Sequence, residues 1–109
     1  MMFAAHPTRR IFLYGAPVDM RKSFTGLIVI VQNVLKEDPL SGHLYAFLNR
    51  RGNYMKSIVW DRTGYCLFAK RLEQGRFRFP EGDGPQEVSA ARFQLLLDGI
   101  VLDKWRRIG

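Results

Sequence analysis

Residues 43–80 read HLYAFLNRRGNYMKSIVWDRTGYCLFAKRLEQGRFRFP, a stretch in which short apolar runs alternate with turns that contain glycine. Runs of about four to eight residues, rich in β-branched and aromatic side chains and separated by such turns, are typical of antiparallel hairpins. The stretch therefore predicts four consecutive antiparallel strands. They are residues 43–49, 54–60, 65–71 and 76–79, with Gly52, Gly64 and Gly75 in the connections.

Upstream of this stretch, the chain predicts one more strand and a helix. Residues 11–14 have strand character and end at a Gly-Ala-Pro turn. Asp19 is a suitable cap for a helix that extends to about Lys36. The apolar residues of this helix recur at the three- and four-residue spacing of one helical face. They are Phe24, Leu27, Ile28, Val31, Val34 and Leu35.

Downstream, Ser89 can cap a second helix over residues 90–98, and Gly99 can end it. We therefore expect an α+β fold, with a mostly antiparallel sheet of about five strands packed with two helices. The length of 109 residues fits a single domain. Within it we expect a flexible start at residues 1–8 and a basic tail at residues 104–109.

The charge balance favours a polyanionic partner. Seventeen Lys and Arg face ten Asp and Glu, which gives a net charge of +7. Twelve of these bases are Arg, whose guanidinium can donate two parallel hydrogen bonds to a phosphate. Eight bases but only two acids lie within residues 43–80. A basic surface of this kind suits a DNA backbone.

The candidate nucleic-acid-binding residues come from this hairpin region. In residues 76–79 the two Arg and the two Phe alternate, so that they face opposite sides of a strand. A two- or four-residue loop would place Arg71 on the same side as Arg76 and Arg78, whereas a three-residue loop would break the cluster. The candidates are Arg50, Arg51, Lys56, Arg62, Lys70, Arg71, Arg76 and Arg78, with Arg21 and Lys22 as a possible second basic patch. Tyr45, Tyr54 and Trp60 are candidates for stacking on unpaired bases, and the alternative is that most of them fill the core.

The residues give no sign of catalysis, and we expect no enzyme, no metal site and no cofactor. Asp19, Asp61 and Glu73 are explained as a helix cap, a turn residue and a loop charge. The single Cys66 excludes an internal disulfide and a cysteine-based zinc site. The apolar runs are too short for a membrane helix, and the twin arginine at residues 9–10 lacks the apolar region of an export signal. We therefore expect a cytoplasmic protein.

Three blocks of sequence resemble one family of bacterial mobile elements. The first is Asp19-Met20-Arg21-Lys22-Ser23-Phe24 followed by Gly26-Leu27; the second is Asp38-Pro39-Leu40-Ser41-Gly42-His43 with Phe47, Arg50-Arg51-Gly52, Lys56 and Trp60-Asp61; the third is Gly64, Cys66-Leu67-Phe68, Lys70-Arg71-Leu72-Glu73 and Gly75-Arg76-Phe77. Together they resemble the TnpB (Orf2) accessory protein of the insertion-sequence-sixty-six family over roughly residues 11–103. Ser23 departs from the small Gly that is common in the first block.

The resemblance implies an accessory protein for DNA transposition, encoded beside a separate and larger transposase. It supplies no catalytic residues. Two roles remain open: direct binding of element DNA, or an adaptor that docks onto the transposase or another element-encoded protein through the apolar helix. A homo-oligomer is a further possibility. A nuclease is a third reading, which predicts magnesium-dependent cleavage that is lost in Asp61→Asn.

Overall fold

The computed structural model describes residues 9–80 and 84–99, which form five strands and two helices. In chain order they are β1 (Ile11–Pro17), α1 (Phe24–Asn33), β2 (Leu44–Leu48), β3 (Tyr54–Asp61), β4 (Gly64–Arg71), β5 (Pro85–Val88) and α2 (Ala90–Leu97). The predicted α+β fold, with a mostly antiparallel sheet of five strands and two helices, is confirmed. The predicted flexible start and basic tail lie outside the described residues.

The strands form one sheet in the order β4-β3-β2-β1-β5. The predicted hairpins β2–β3 and β3–β4 are present, and β5 is antiparallel to β1. Only β1 and β2 are parallel among these pairs, because α1 carries the chain back between them. Pro17 of β1 and Leu48 of β2 therefore lie side by side, and we call this end of the sheet the upper end.

The two helices cover opposite faces of the sheet. Leu27 and Val31 of α1 pack with Phe12, Tyr45 and their neighbours in one buried cluster. Along each strand, alternate side chains face the other side of the sheet. There they pack with the residues of α2 and form a second cluster. Its buried members are Ile11, Leu13, Leu44, Ala46, Leu48, Met55, Val59, Phe77, Val88, Phe93, Leu96 and Leu97. The middle strand β2 is buried along its whole length, since both of its faces are covered.

The chain between β4 and β5 crosses the upper end of the sheet. β4 ends at Arg71 beside Tyr54, and β5 begins at Pro85 beside Tyr14 on the opposite edge. Because neighbouring strands lie about 4.8 Å apart, the chain must span roughly 19 Å. We call residues 72–80 the crossing segment. Its backbone is bonded to the β2–β3 turn through Leu72 N to Asn53 O (2.8 Å) and Phe77 N to Gly52 O (2.7 Å).

The prediction that residues 76–79 form a strand beside β4 was wrong. They belong to the crossing segment, and the fifth strand is β5. The alternation was interpreted correctly in one respect, because Phe77 is buried and Phe79 packs against the core while Arg76 and Arg78 are exposed. An alternating pattern indicates which side chains face the core, but not which backbone they pair with. The predicted hairpin face formed with Arg71 is therefore absent.

The start of α1 also differs from the prediction. The helix begins at Phe24 after Ser23, so Asp19 does not cap it. The carboxylate of Asp19 instead accepts a hydrogen bond from the backbone N–H of Arg21 and forms an ion pair with that side chain. The prediction for α2 is confirmed at its start, because the Ser89 hydroxyl accepts a hydrogen bond from Arg92 N. Gly99 follows the helix with φ +76°, as a helix stop requires.

Candidate nucleic-acid interface

Three segments meet at the upper end of the sheet, and each carries basic residues. They are the β1–α1 loop, the β2–β3 turn and the crossing segment. Parallel pairing of β1 and β2 brings the first two together, and the connection from β4 to β5 adds the third. Together with Arg71, the last residue of β4, these segments supply seven exposed cations, which we call the basic end. They are Arg21, Lys22, Arg50, Arg51, Arg71, Arg76 and Arg78.

The β2–β3 turn holds Arg50 and Arg51 on a bonded frame. The Oδ1 atom of Asn49 accepts hydrogen bonds from the backbone N–H groups of Asn53 (3.0 Å) and Tyr54 (3.1 Å). The Nδ2 atom of Asn49 donates to Asn53 Oδ1 at 2.8 Å. An Asn side chain that bonds the backbone of its own turn replaces hydrogen bonds that the ladder cannot supply. The two arginines are therefore presented from a fixed loop.

Gly52 of this turn lies against the crossing segment, and its carbonyl accepts a hydrogen bond from Phe77 N. Its φ of +77° lies in the left-handed region, which favours glycine. A Cβ atom at this position would lie 3.4 Å from Cβ of Arg76, so the two segments are in close contact. Phe77 is only 3% exposed and anchors the segment in the core between Arg76 and Arg78. The two neighbouring arginines must therefore face outward.

A groove of about 640 Å³ runs between the turn and the crossing segment. Its described lining residues are Tyr14, Gly15, Ala16, Pro17, Leu48, Asn49, Arg50, Arg51, Gly52, Arg76, Phe77, Arg78, Phe79, Pro80 and Gly84. Arg50 and Arg51 also border a depression of about 500 Å³ that reaches Arg21. Arg51, Arg76 and Arg78 border another of about 450 Å³. Five of the seven cations thus border neighbouring depressions, and Arg51 borders all three.

Some of these cations are neutralised by the protein itself. Arg21 lies 2.6 Å from Asp19, and Arg71 lies 3.7 Å from Glu73. Within residues 9–80 and 84–99, no ion pair involves Arg50, Arg51, Arg76 or Arg78. These four therefore dominate the positive charge of the groove.

The ion pair with Arg21 shifts the titration of Asp19. The side-chain and backbone hydrogen bonds from Arg21 lower the pKa of Asp19 from its usual 3.8 to about 2. Because the pKa is lower in the folded protein, ionised Asp19 stabilises the fold above its unfolded pKa. That contribution is lost as the pH falls towards 2. At neutral pH the carboxylate is therefore fully charged and offsets Arg21.

Two of the predicted binding residues are engaged inside the protein. Lys56 is only 9% exposed, and its Nζ atom donates to the carbonyl of Lys22 at 2.7 Å. This bond ties β3 to the β1–α1 loop. The Nζ atom of Lys70 donates to the carbonyl of Leu97 in the last turn of α2, where a cation also favours the helix dipole. The structure therefore gives both lysines a role in the fold.

Arg62 lies at the opposite, lower end of the sheet. It occupies the β3–β4 turn, with Nε 4.0 Å from Oδ1 of Asp61. β3 has eight residues, so at about 3.3 Å per residue this turn is about 25 Å from Arg50 and Arg51. Arg62 is therefore separate from the basic end.

Of the three candidate stacking residues, Tyr54 lies at the basic end, where it borders the depression shared with Arg50 and Arg51. Tyr45 is 2% exposed and its ring stacks on Phe12, so it belongs to the core. Trp60 is at the lower end, edge-on to Tyr65. The groove instead contains Tyr14 and Phe79. Neither was a candidate in the sequence analysis. Tyr14 is brought to the upper end by the parallel pairing of β1 with β2, and Phe79 by the crossing segment. Neither arrangement leaves a local signal in the sequence.

The carboxylates of the described residues do not assemble into a metal site. Within the described part of the chain, no group of three or more His, Cys, Asp or Glu side chains could hold a metal ion. Asp19 and Glu73 contact different arginines at the upper end, and Asp61 is at the lower end.

Neither α1 nor α2 is long and apolar enough to cross a membrane.

Comparison with known proteins agrees with the three sequence blocks. The family model described as IS66 Orf2 like protein matches residues 9–107. Among curated relatives, uncharacterized protein y4hO of Sinorhizobium fredii (strain NBRC 101917 / NGR234) is 42% identical over 98 residues, which cover 89% of this chain and 83% of the relative. Uncharacterized protein y4jC of the same organism is 36% identical over 100 residues, with coverage of 91% and 83%. No solved structure matches significantly. The chain thus belongs to the IS66 Orf2-like family, which points to an accessory role in transposition.

Proposed function

We propose that this protein serves transposition by binding the phosphate backbone of element DNA with its basic end, while a separate transposase carries out the chemistry. One observation carries the proposal. Four exposed arginines from two distant parts of the chain line one groove, and none forms an ion pair among the described residues. Each arginine brought to a phosphate releases condensed counterions, which favours binding.

The proposed contacts fall into two groups. Arg50, Arg51, Arg76 and Arg78 make the principal contacts. Arg21, Lys22 and Arg71 extend the surface, but two of these share their charge with a carboxylate. Lys56 and Lys70 act indirectly, by holding the β1–α1 loop and α2 in place.

Salt titration of duplex DNA binding tests the proposal. Four neutralised phosphates predict that the logarithm of the association constant falls with the logarithm of salt concentration with a slope of about −3.6. Fluorescence anisotropy with a labelled duplex between about 50 and 200 mM salt measures this slope. A flat line with little binding at any salt concentration contradicts the proposal.

Removing the charge of Asp19 is expected to strengthen binding. Asp19→Asn keeps an oxygen that can accept the backbone hydrogen bond of Arg21 but releases its guanidinium. If Arg21 then contacts a phosphate, the slope becomes steeper by about 0.9. Glu87→Gln is the matched control, since it releases Arg10 from a 2.7 Å ion pair at the lower end. Equal gains in both variants would show that only net charge matters.

An adaptor role is the second candidate, and α1 is the element that favours it. Leu27 and Val31 pack on the sheet, but Phe24, Val29 and Val34 are 45%, 45% and 54% exposed. Exposed apolar side chains on a helix can dock onto another protein. An adaptor would co-purify with the transposase, lose that association in Val29→Asp, and show no salt-dependent DNA binding.

A further inference from the structure

The groove at the basic end holds aromatic rings as well as cations. Tyr14 and Phe79 both line it and are both half-buried. Tyr14 lies edge-on to Phe47, with ring centroids 6.2 Å apart and an angle of 71° between the ring planes. Phe79 packs against the core cluster beneath α2. Tyr14 packs against the cluster beneath α1 and Phe79 against the cluster beneath α2, so the groove is lined by one aromatic residue from each face of the sheet.

A groove of this kind distinguishes between paired and unpaired nucleic acid. In a duplex the base faces are stacked on one another, so a surface such as Arg50 and Arg78 meets phosphates but no free base face. In a single strand the bases can also stack on aromatic side chains beside a cationic path. The groove volume of about 640 Å³ suits a base-sized group, because pockets for small molecules measure about 300–1,000 Å³.

We propose that the groove binds an unpaired nucleic-acid strand, with bases stacked on Tyr14 and Phe79 and phosphates on the four surrounding arginines. This inference rests on the proposed function and deepens it. Strand exchange during transposition exposes unpaired DNA, and a mobile element also produces RNA. Both have the same stacking and phosphate chemistry, so the two sources are separated by experiment.

The test compares an oligothymidylate of about 20 nucleotides with a duplex of the same length at one salt concentration. The whole chain should bind the single strand more tightly. Tyr14→Leu and Phe79→Leu keep an apolar side chain for the core but remove the ring. Each should weaken single-strand binding about tenfold, as the loss of one stacked base predicts, and leave duplex binding unchanged.

Tyr65→Leu is the matched control. Tyr65 is a half-buried tyrosine that packs against the same cluster as Tyr14, but it lies at the lower end. It should change neither affinity. If the Tyr14 and Phe79 variants leave single-strand binding unchanged, or weaken both substrates equally, the inference is wrong. Duplex binding that still depends on the arginines would then leave the proposed function intact, whereas absence of all binding would remove both.

Oligouridylate in the same assay identifies the source of the strand. Tighter binding of oligothymidylate assigns the groove to DNA, and tighter binding of oligouridylate assigns it to RNA. Either result supports an unpaired strand, provided that binding is lost with the two rings.

Discussion

Replacing Arg50 and Arg51 together by Gln is expected to weaken duplex DNA binding about 60-fold at 0.1 M salt. Release of about 0.9 counterion per phosphate makes each contact worth roughly eightfold at that concentration. Gln keeps a polar side chain of similar length, and the turn is held by Asn49 and Gly52, so the fold should persist. The salt slope should become shallower by about 1.8.

A second pair of substitutions supplies the control. Lys36→Gln with Arg62→Gln removes the same total charge from two exposed residues in the α1–β2 loop and the β3–β4 turn. Both of these connections are at the lower end of the sheet, about 25 Å from the basic end. This variant should lose less than threefold in affinity. If both double variants lost the same affinity, DNA binding would depend on net charge and not on the basic end.

Phe77→Ala is expected to produce the largest loss of stability. Phe77 is 3% exposed and packs in the same cluster as Phe93 and Leu96 of α2. Truncating a buried Phe to Ala costs about 3–5 kcal/mol, which is a large part of the 5–15 kcal/mol that stabilises a typical domain. Urea denaturation followed by circular dichroism measures the change in the free energy of unfolding.

The same substitution at Phe24 separates burial from residue type. Phe24 is 45% exposed at the start of α1, so Phe24→Ala should cost less than about 1 kcal/mol. Phe77→Ala should also weaken DNA binding under conditions in which it remains folded, because Arg76 and Arg78 lose their anchor. If both variants were equally stable, the crossing segment would not be fixed in the way that the structure shows.

The hairpins were predictable from the sequence because their information is local. Alternating apolar residues and the glycines of the turns specify β2, β3 and β4 within residues 43–80. The cap of α2 was predictable for the same reason, since Ser89 needs only the first turn of its helix. These features depend on neighbours only a few residues away.

The composition of the proposed binding surface was only partly predictable. Arg50 and Arg51 are exposed in a turn that the sequence already indicates, whereas Lys56 has its place decided by a distant carbonyl of Lys22. β3 is an internal strand with both faces covered, so a lysine within it must be buried and bonded. Strand order is a non-local property, and neither charge nor alternation reports it.

The predicted strand at residues 76–79 was wrong because strand order is non-local. Two backbone paths fit the alternation of Arg and Phe equally well: a strand beside β4 and the observed path across the sheet. The choice depends on β5, which joins the edge formed by β1 at Leu13 and Tyr14. That pairing links parts of the chain more than 70 residues apart.

Because of the crossing segment, the basic end combines residues from the middle of the chain with residues that are synthesised later. A ribosome-bound chain that has emerged only as far as β4 contains the sequence of both hairpins, including the turn with Arg50 and Arg51. Its second pair of arginines takes position only after Phe77 is buried and β5 has joined β1. If the basic end binds nucleic acid as proposed, a fragment that ends before β5 keeps Arg50 and Arg51 but lacks the packing that positions Arg76 and Arg78, so it should bind more weakly than the whole chain.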